Sequence, residues 1–284
     1  MITERAYAKI NLYLAVENKR NDGYHNIKTL MHEIDLYDSI FLECLPADST
    51  SVELITVPHD VTDRPEDNLA YRAAVAYLNK INNTARVKIR LEKRIPTSAG
   101  LGGGSADAAA VLRALNRIFG SYLSAESMIE LAATLGSDVP FCLVGGTSLC
   151  LGRGEILTPV PSLKNAFILI AKGNESVSTA RAYALLDERI ASDTDTARRA
   201  YTELSEYLAG NINAFPELYN VFESVIIPEC PSVAEIKEVM LKHNAVASLM
   251  SGSGPTVFGI FENEQDRASA AAALASLGIS VFIA

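Results

Sequence analysis

The sequence predicts an α+β fold, and three observations lead there. First, residues 86–92, Arg-Val-Lys-Ile-Arg-Leu-Glu, alternate strictly, so Val87, Ile89 and Leu91 share one face of a half-buried strand. Second, apolar residues at 111, 112, 115, 118 and 119, and again at 128, 131, 132 and 135, recur at helical spacing. Third, these strands and helices are unevenly ordered, not in the regular strand-helix repeat of a parallel α/β sheet.

Taken in order, the chain opens with a strand-like run over 5–16 that sets Lys9 and Asn11 on one face between apolar neighbours. Such a pair marks either the solvated face of an edge strand or a site. Asp22-Gly23 then makes a turn, with Tyr24 and His25 directly after it. These two are either solvated turn residues or a stacking surface and a ring donor or acceptor for a heterocycle. Residues 39–45 read as a strand, and Asp67 is a candidate N-cap for a helix with apolar positions 70, 74, 77, 78 and 81.

The run over 96–107, Pro-Thr-Ser-Ala-Gly-Leu-Gly-Gly-Gly-Ser-Ala-Asp, ends a strand-like stretch and opens the helix over 106–119, with Gly120 at its C′ position. Four glycines in five residues suit a sharp turn with positive φ that comes close to something else. Running into a helix N-terminus, they suit a phosphate, because free N–H groups and the positive end of the helix dipole converge there. A tight connection is the plainer reading. The spacing is neither the dinucleotide fingerprint nor Walker A, since no Lys-Ser or Lys-Thr follows the glycines.

A helix over 124–135 closes at Gly136, and Gly136-Ser137-Asp138-Val139-Pro140-Phe141 then holds one carboxylate in a short turn, by itself most often an Asx-turn. Residues 145–155 form a hairpin with Gly-rich ends, and the domain boundary falls just after it, giving domains over 1–156 and 157–284. A strand over 166–171 follows, then Thr179 and Tyr183, the latter either core packing on a helix or part of a ligand surface. The acidic span 187–210 reads as a solvated helix with a loop. Ser232-Val-Ala-Glu235 reads as a capping box ahead of a buried stripe of Val233, Ile236 and Met240. A second glycine loop over 251–255, a helix over 265–277 and a strand over 279–283 end the chain.

Composition excludes several function classes. A net charge of −9 leaves no basic stripe for nucleic acid or anionic lipid, so an anionic ligand must be met by local donors. The four cysteines, at 44, 142, 150 and 230, lack metal-ligand spacing, which argues against a zinc site or a disulfide scaffold. No 18 apolar residues run together and no apolar leader opens the chain, so a soluble cytoplasmic protein is expected.

The run over 96–107 resembles the phosphate loop of the GHMP kinases. Ala-Lys-Ile-Asn-Leu over 8–12 is similar to that family's first motif, Gly-Ser-Asp-Val-Pro-Phe over 136–141 to the segment bearing its acidic residue, and residues 248–258 to its third motif. The resemblance spans the chain, with a departure at His243-Asn244-Ala245, where Gly-Ala is usual. It implies two two-layer domains, 1–156 binding ATP and 157–284 completing the substrate site, with the active site in the cleft between them. It implies ATP at Asn68, Pro96, Gly100, Leu101, Gly102, Gly103, Gly104, Ser105 and Ala106, with Mg²⁺ expected alongside but no protein ligands identifiable.

The same resemblance makes Lys9 and Asp138 the catalytic pair. Asp138 takes the hydroxyl proton, while the nearby cation favours its charged form. Asn11 orients the substrate. Arg-x-Asp-Gly-Tyr-His over 20–25 and Gly-Arg-Gly-Glu over 152–155 resemble one branch of the family, in which the Tyr and His hold a cytosine. For that branch Asn11, Tyr24, His25, Asp138, Thr179 and Tyr183 would meet a small-molecule substrate of the non-mevalonate isoprenoid route, in a monomer or homodimer. Two alternatives are a homoserine- or mevalonate-type kinase, which should lack the 22–25 signature, and a non-catalytic ligand sensor on the same fold.

Overall fold

The structure, a computed structural model, describes residues 1–59, 61–163, 166–188, 194–213 and 215–284. They form two compact units. The first comprises residues 1–9, 36–97 and 102–145; the second comprises 10–35, 98–101 and 146–284. Two long strands, β1 (Ile2–Lys19) and β2 (His25–Pro46), contribute residues to both.

In the first unit β3 (Ser51–Val57) lies parallel to β4 (Ala85–Glu92), and β4 pairs antiparallel with β2 from Ser39↔Glu92 to Pro46↔Ala85. The alternation over 86–92 does as its period dictates: Val87, Ile89 and Leu91 are buried while Arg86, Lys88 and Arg90 stay exposed. Against this sheet the unit places α1 (Leu69–Lys80), α2 (Gly103–Ile118), α3 (Ala125–Leu135) and α4 (Val139–Val144). Helix α2 buries an unbroken run from Ala106 to Leu112, and α1 packs against α2, Tyr77 donating to Asn116 Oδ1 at 2.9 Å. It ends at Phe119, and Gly120 at φ +69° turns the chain out, as the C′ position requires.

The second unit is built on an antiparallel sheet in the order β11 (Ser280–Ile283), β7 (Phe167–Lys172), β10 (Val257–Phe261), β9 (Ala247–Met250). Helices α8 (Pro231–Lys242) and α9 (Glu264–Ser276) pack on it through Val233, Ile236, Met240, Ala270 and Leu274. The same core takes in α5 (Thr179–Glu188) and α7 (Glu223–Ile226) through Ala182, Val225 and Ile226. The hairpin of β5 (Thr147–Leu151) and β6 (Ile156–Pro159) pairs with β2 at Thr29↔Cys150, and β8 (Tyr219–Asn220) runs parallel to β1. Helix α6 (Thr194–Ala209) accounts for most of the acidic span over 187–210; residues 189–193 of that span, and residues 164–165 before β7, lie outside the described residues.

Two capping assignments are corrected. Asp67 ends a 3-10 turn and pairs with Arg64, while Asn68, 4% exposed, caps α1 by accepting from the Ala70 amide at 2.9 Å. A neighbouring acceptor one residue on simply wins the site. Ser232 sits inside the first turn of α8 and donates to Glu175 at 2.7 Å, so no capping box forms there.

Candidate active site

The glycine loop divides its work between its two ends. Gly100 and Gly102 both sit at φ +70°, a conformation that costs any residue with a Cβ about 1–2 kcal/mol. At Gly100 close approach adds to this, since a Cβ would lie 2.2 Å from the Ser251 carbonyl oxygen. The Ser251 hydroxyl also donates to the Gly100 carbonyl at 3.1 Å, tying the second glycine loop to the first. Gly103 differs from the sequence expectation: it is the first residue of α2 with no positive φ, and its reason is space, Ile95 Cγ2 lying 3.1 Å from where a Cβ would stand.

The Ala106 amide is the first to close a helical bond, onto the Gly102 carbonyl at 2.8 Å. That leaves the Gly103, Gly104 and Ser105 amides at the positive end of α2 with no acceptor in the preceding turn. Pro96 and Gly104 stay at least partly open, whereas Leu101 and Ala106 are buried and anchor the loop.

Beside this helix start stands Lys9, only 4% exposed, its stem 3.0 Å from where a Gly102 Cβ would be. Its Nζ lies 3.4 Å from Oδ2 of Asp138. Asp138 is not an Asx-turn residue: its side chain caps nothing, and the residue two positions on is Pro140, which has no N–H to give. The turn over 136–138 thus presents a carboxylate to a buried ammonium, in the same unit as the amides of α2. Asn11, two residues after Lys9 on β1, is buried with its amide donating to Thr29 Oγ1 at 2.8 Å.

A buried triad that the sequence did not advertise lies under the loop. Lys93 Nζ bridges Asp38 Oδ2 at 2.5 Å and Asp107 Oδ2 at 2.6 Å, and lies 3.5 Å from where a Gly103 Cβ would stand. Asp38 further accepts from the Arg94 and Ile95 amides, so β2, the end of β4 and the first turns of α2 are pinned together. Asp107 Oδ1 has no hydrogen-bond partner among the described residues. Burial, helped by the charge of Asp38 and opposed by Lys93, pushes the Asp107 carboxyl up to about 7.

In the second unit the 20–25 segment forms a turn closed by the Arg20 amide on the Tyr24 carbonyl at 2.7 Å, with Gly23 at φ +86°. Asp22 accepts from the Tyr24 amide and pairs with Arg20, whose hydrogen bond holds its carboxyl below the usual range. Tyr24 is 53% exposed, and the Arg153 guanidinium of the 152–155 signature lies 5.0 Å from its ring centre. His25 and Tyr183 meet directly, their rings stacked at 4.9 Å, and Phe222 takes the edge of Tyr183. Tyr183 therefore serves both core and surface. Thr179, at the start of α5, shares a hydrogen bond of 3.0 Å with Ser253 of the second glycine loop.

Asn220 and Glu223 brace that loop. Asn220 donates to the Met250 and Gly252 carbonyls at 2.7 and 2.8 Å, and Glu223 accepts from the Met250 amide at 2.9 Å. No helix among the described residues is long and apolar enough to cross a membrane.

Comparison with known proteins shows the family. Residues 68–146 match the GHMP kinases N terminal domain and residues 195–280 the GHMP kinases C terminal family. The chain is 44% identical over 268 residues to a 4-diphosphocytidyl-2-C-methyl-D-erythritol kinase of Caldicellulosiruptor saccharolyticus, covering 94% of this chain and 90% of the relative. It is also 44% identical, over 263 residues, to the protein of that name from Alkaliphilus metalliredigens, covering 91% and 87%. A crystal structure of 4-(cytidine 5'-diphospho)-2C-methyl-D-erythritol kinase superimposes with a TM-score of 0.81 at 34% identity, covering 99% of this chain and 98% of the other. Homoserine kinase from Cytophaga hutchinsonii, at 18% identity and a TM-score of 0.73, shares the fold alone. The chain belongs to the GHMP kinases and, within them, to the 4-diphosphocytidyl-2-C-methyl-D-erythritol kinase family.

Proposed function

We propose that this chain transfers the γ-phosphoryl group of ATP to the 2-hydroxyl of 4-diphosphocytidyl-2-C-methyl-D-erythritol. The observation that carries the chemistry is the Lys9–Asp138 pair beside Gly102 at the start of α2. Phosphoryl transfer asks the protein mainly for positioning and charge stabilisation. The amides of residues 103–105 cradle the phosphates. Asp138 accepts the hydroxyl proton as the substrate oxygen bonds to phosphorus and the bridging P–O bond to ADP breaks. Lys9 orients that carboxylate and draws on the charge of the group in transit, while Asn11, held by Thr29, orients the acceptor. Asn68 stands by the adenine.

The 22–25 signature supports the cytidyl substrate over homoserine or mevalonate: exposed Tyr24 offers a face to the base, His25 reads its edge, and Tyr183 backs the imidazole. Thr179 borders the same ligand. Mg²⁺ is expected with ATP, where it would neutralise phosphate charge. Among the described residues no three His, Cys, Asp or Glu side chains gather to hold a metal; Mg²⁺ that arrives with ATP needs only one or two carboxylates beside the phosphates, and no residue or step is assigned to it. The domains proposed remain 1–156 for ATP and 157–284 for the C-terminal part, and the two family matches fall on either side of that division. The net charge of −9 supports a small-molecule ligand over a nucleic-acid partner; we place the protein in the cytoplasm, as a monomer or homodimer.

ADP release with ATP and a panel of the cytidyl substrate, homoserine, mevalonate and galactose tests this reading. Turnover is expected with the first alone. Turnover of another panel member in its place would reassign the substrate, and none at all would favour the ligand sensor.

A further inference from the structure

The function proposed above uses His25 to read a base but leaves open which way the imidazole presents its nitrogens. Asp187, near the end of α5, decides it. One carboxylate oxygen, Oδ1, lies 2.7 Å from His25 Nε2, and the other, Oδ2, lies 2.5 Å from Lys19 Nζ. A carboxylate can only accept, so Nε2 carries the hydrogen. In the neutral ring Nδ1 is then an acceptor, and it has no hydrogen-bond partner among the described residues. The Tyr183 stack, at an interplanar angle of 23°, holds the ring plane, and the His25 side chain is only 8% exposed.

Cytosine carries an amino donor at position 4 where uracil carries an oxygen acceptor. We infer that Asp187 is a positioning residue for base selection, holding His25 in the Nε2–H tautomer so that Nδ1 accepts from the cytosine amino group. Lys19 belongs to the device. Its ammonium shares the carboxylate and fixes which oxygen faces His25. No sequence signal marked Asp187, which lies 162 residues from His25 in an acidic span that reads as solvent-facing. The inference rests on the cytidyl reading of the preceding section.

The discriminating variant is Asp187→Asn, which keeps shape and removes charge. Lys19 can only donate, so the new amide turns its oxygen to Lys19 and its NH₂ to His25, forcing Nε2 to accept and Nδ1 to carry the hydrogen. The ring would then offer a donor to the base. At pH 8, kcat/KM should be compared for the cytidyl substrate and its uridyl analogue. The expected result is a preference for cytidyl that falls about tenfold or more in Asp187→Asn. The fall should come mostly through KM, with kcat and the KM for ATP little changed, and Asp187→Glu should restore part of the preference. ¹⁵N NMR of the labelled histidines reads the tautomer independently: Nε2–H in the wild type, Nδ1–H in Asp187→Asn. A wild type that prefers cytidyl and keeps that preference in Asp187→Asn, or a tautomer unmoved by the substitution, overturns this inference alone. A wild type with no preference between the two bases overturns the cytidyl reading and this inference with it.

Discussion

The phosphate-loop region and the base-reading corner hold polar groups in opposite ways. Around α2, Lys9, Lys93, Asp38 and Asp107 are buried and close-packed, and glycines admit backbone where no side chain would fit. At Tyr24 and His25 an exposed ring and a buried one are held by a guanidinium and an ion-paired carboxylate, Arg153 and Asp187, both reachable by water. The difference teaches what each region is suited to. Buried charges keep their strength and geometry, which suits stabilising a group in transit, whereas solvent-exposed hydrogen bonds discriminate between ligands at modest cost.

The two glycines at φ +70° sharpen the contrast within a single loop. Gly100→Ala places a Cβ against the backbone of Ser251, which cannot swing away, and should cost roughly 2–5 kcal/mol of stability, read by denaturant unfolding. Gly102→Ala meets the flexible stem of Lys9 and should lose only about 1–2 kcal/mol. Its larger effect is on rate: displacing Lys9 should lower kcat about tenfold or more. Equal stability losses for the two would erase the division of labour described for the loop.

Tyr24→Ala tests the other region. Its ring should contribute about 1–3 kcal/mol through base stacking, seen as a raised KM for the cytidyl substrate with the KM for ATP unmoved. A parallel rise in both would mean that the turn acts on folding, not on the base.

A smaller effect concerns the triad under α2. Asp107 has a folded-state value of about 7 against 3.8 when free, so the folded protein holds the extra proton. The stability it contributes is complete below about pH 4 and is lost as pH rises through 7. In thermal melts from pH 4 to 8, wild type minus Asp107→Asn should therefore decline with rising pH. His32 makes a useful counterweight, because burial lowers its value to about 4, so its contribution is lost as pH falls from 6.5 toward 4. A flat difference curve for Asp107→Asn would mean that the carboxyl is already ionised throughout.

These features were unevenly legible in the sequence. The glycine loop, the 136–141 segment and the alternating strand over 86–92 are local signals, in which neighbours along the chain determine one another's conformation. Lys93 and Asp38 meet across 55 residues, and His25 and Asp187 across 162, so nothing in either neighbourhood announced the pairing. The work of Asn220 and Glu223, bracing the backbone around Met250 and Gly252 about 30 residues away, needs the fold to be seen. The capping errors at Asp67 and Ser232 have different causes: at Asp67 local competition decided, Asn68 taking the cap while Asp67 paired with Arg64, whereas Ser232 was drawn to a distant partner, Glu175.

The central claim is that one region transfers the phosphoryl group and the other selects the substrate. Steady-state kinetics of Asp138→Asn, His25→Ala and the double variant with ATP and the cytidyl substrate test it most directly. Asp138→Asn should lower kcat roughly 10²-fold or more while leaving substrate KM near wild type. His25→Ala should raise KM for the cytidyl substrate roughly tenfold with kcat little changed. The double variant should then show the kcat of the first and the KM of the second, because separable steps add in free energy. Retention of most of the wild-type kcat in Asp138→Asn, or a double variant no worse than either single one, would contradict the account.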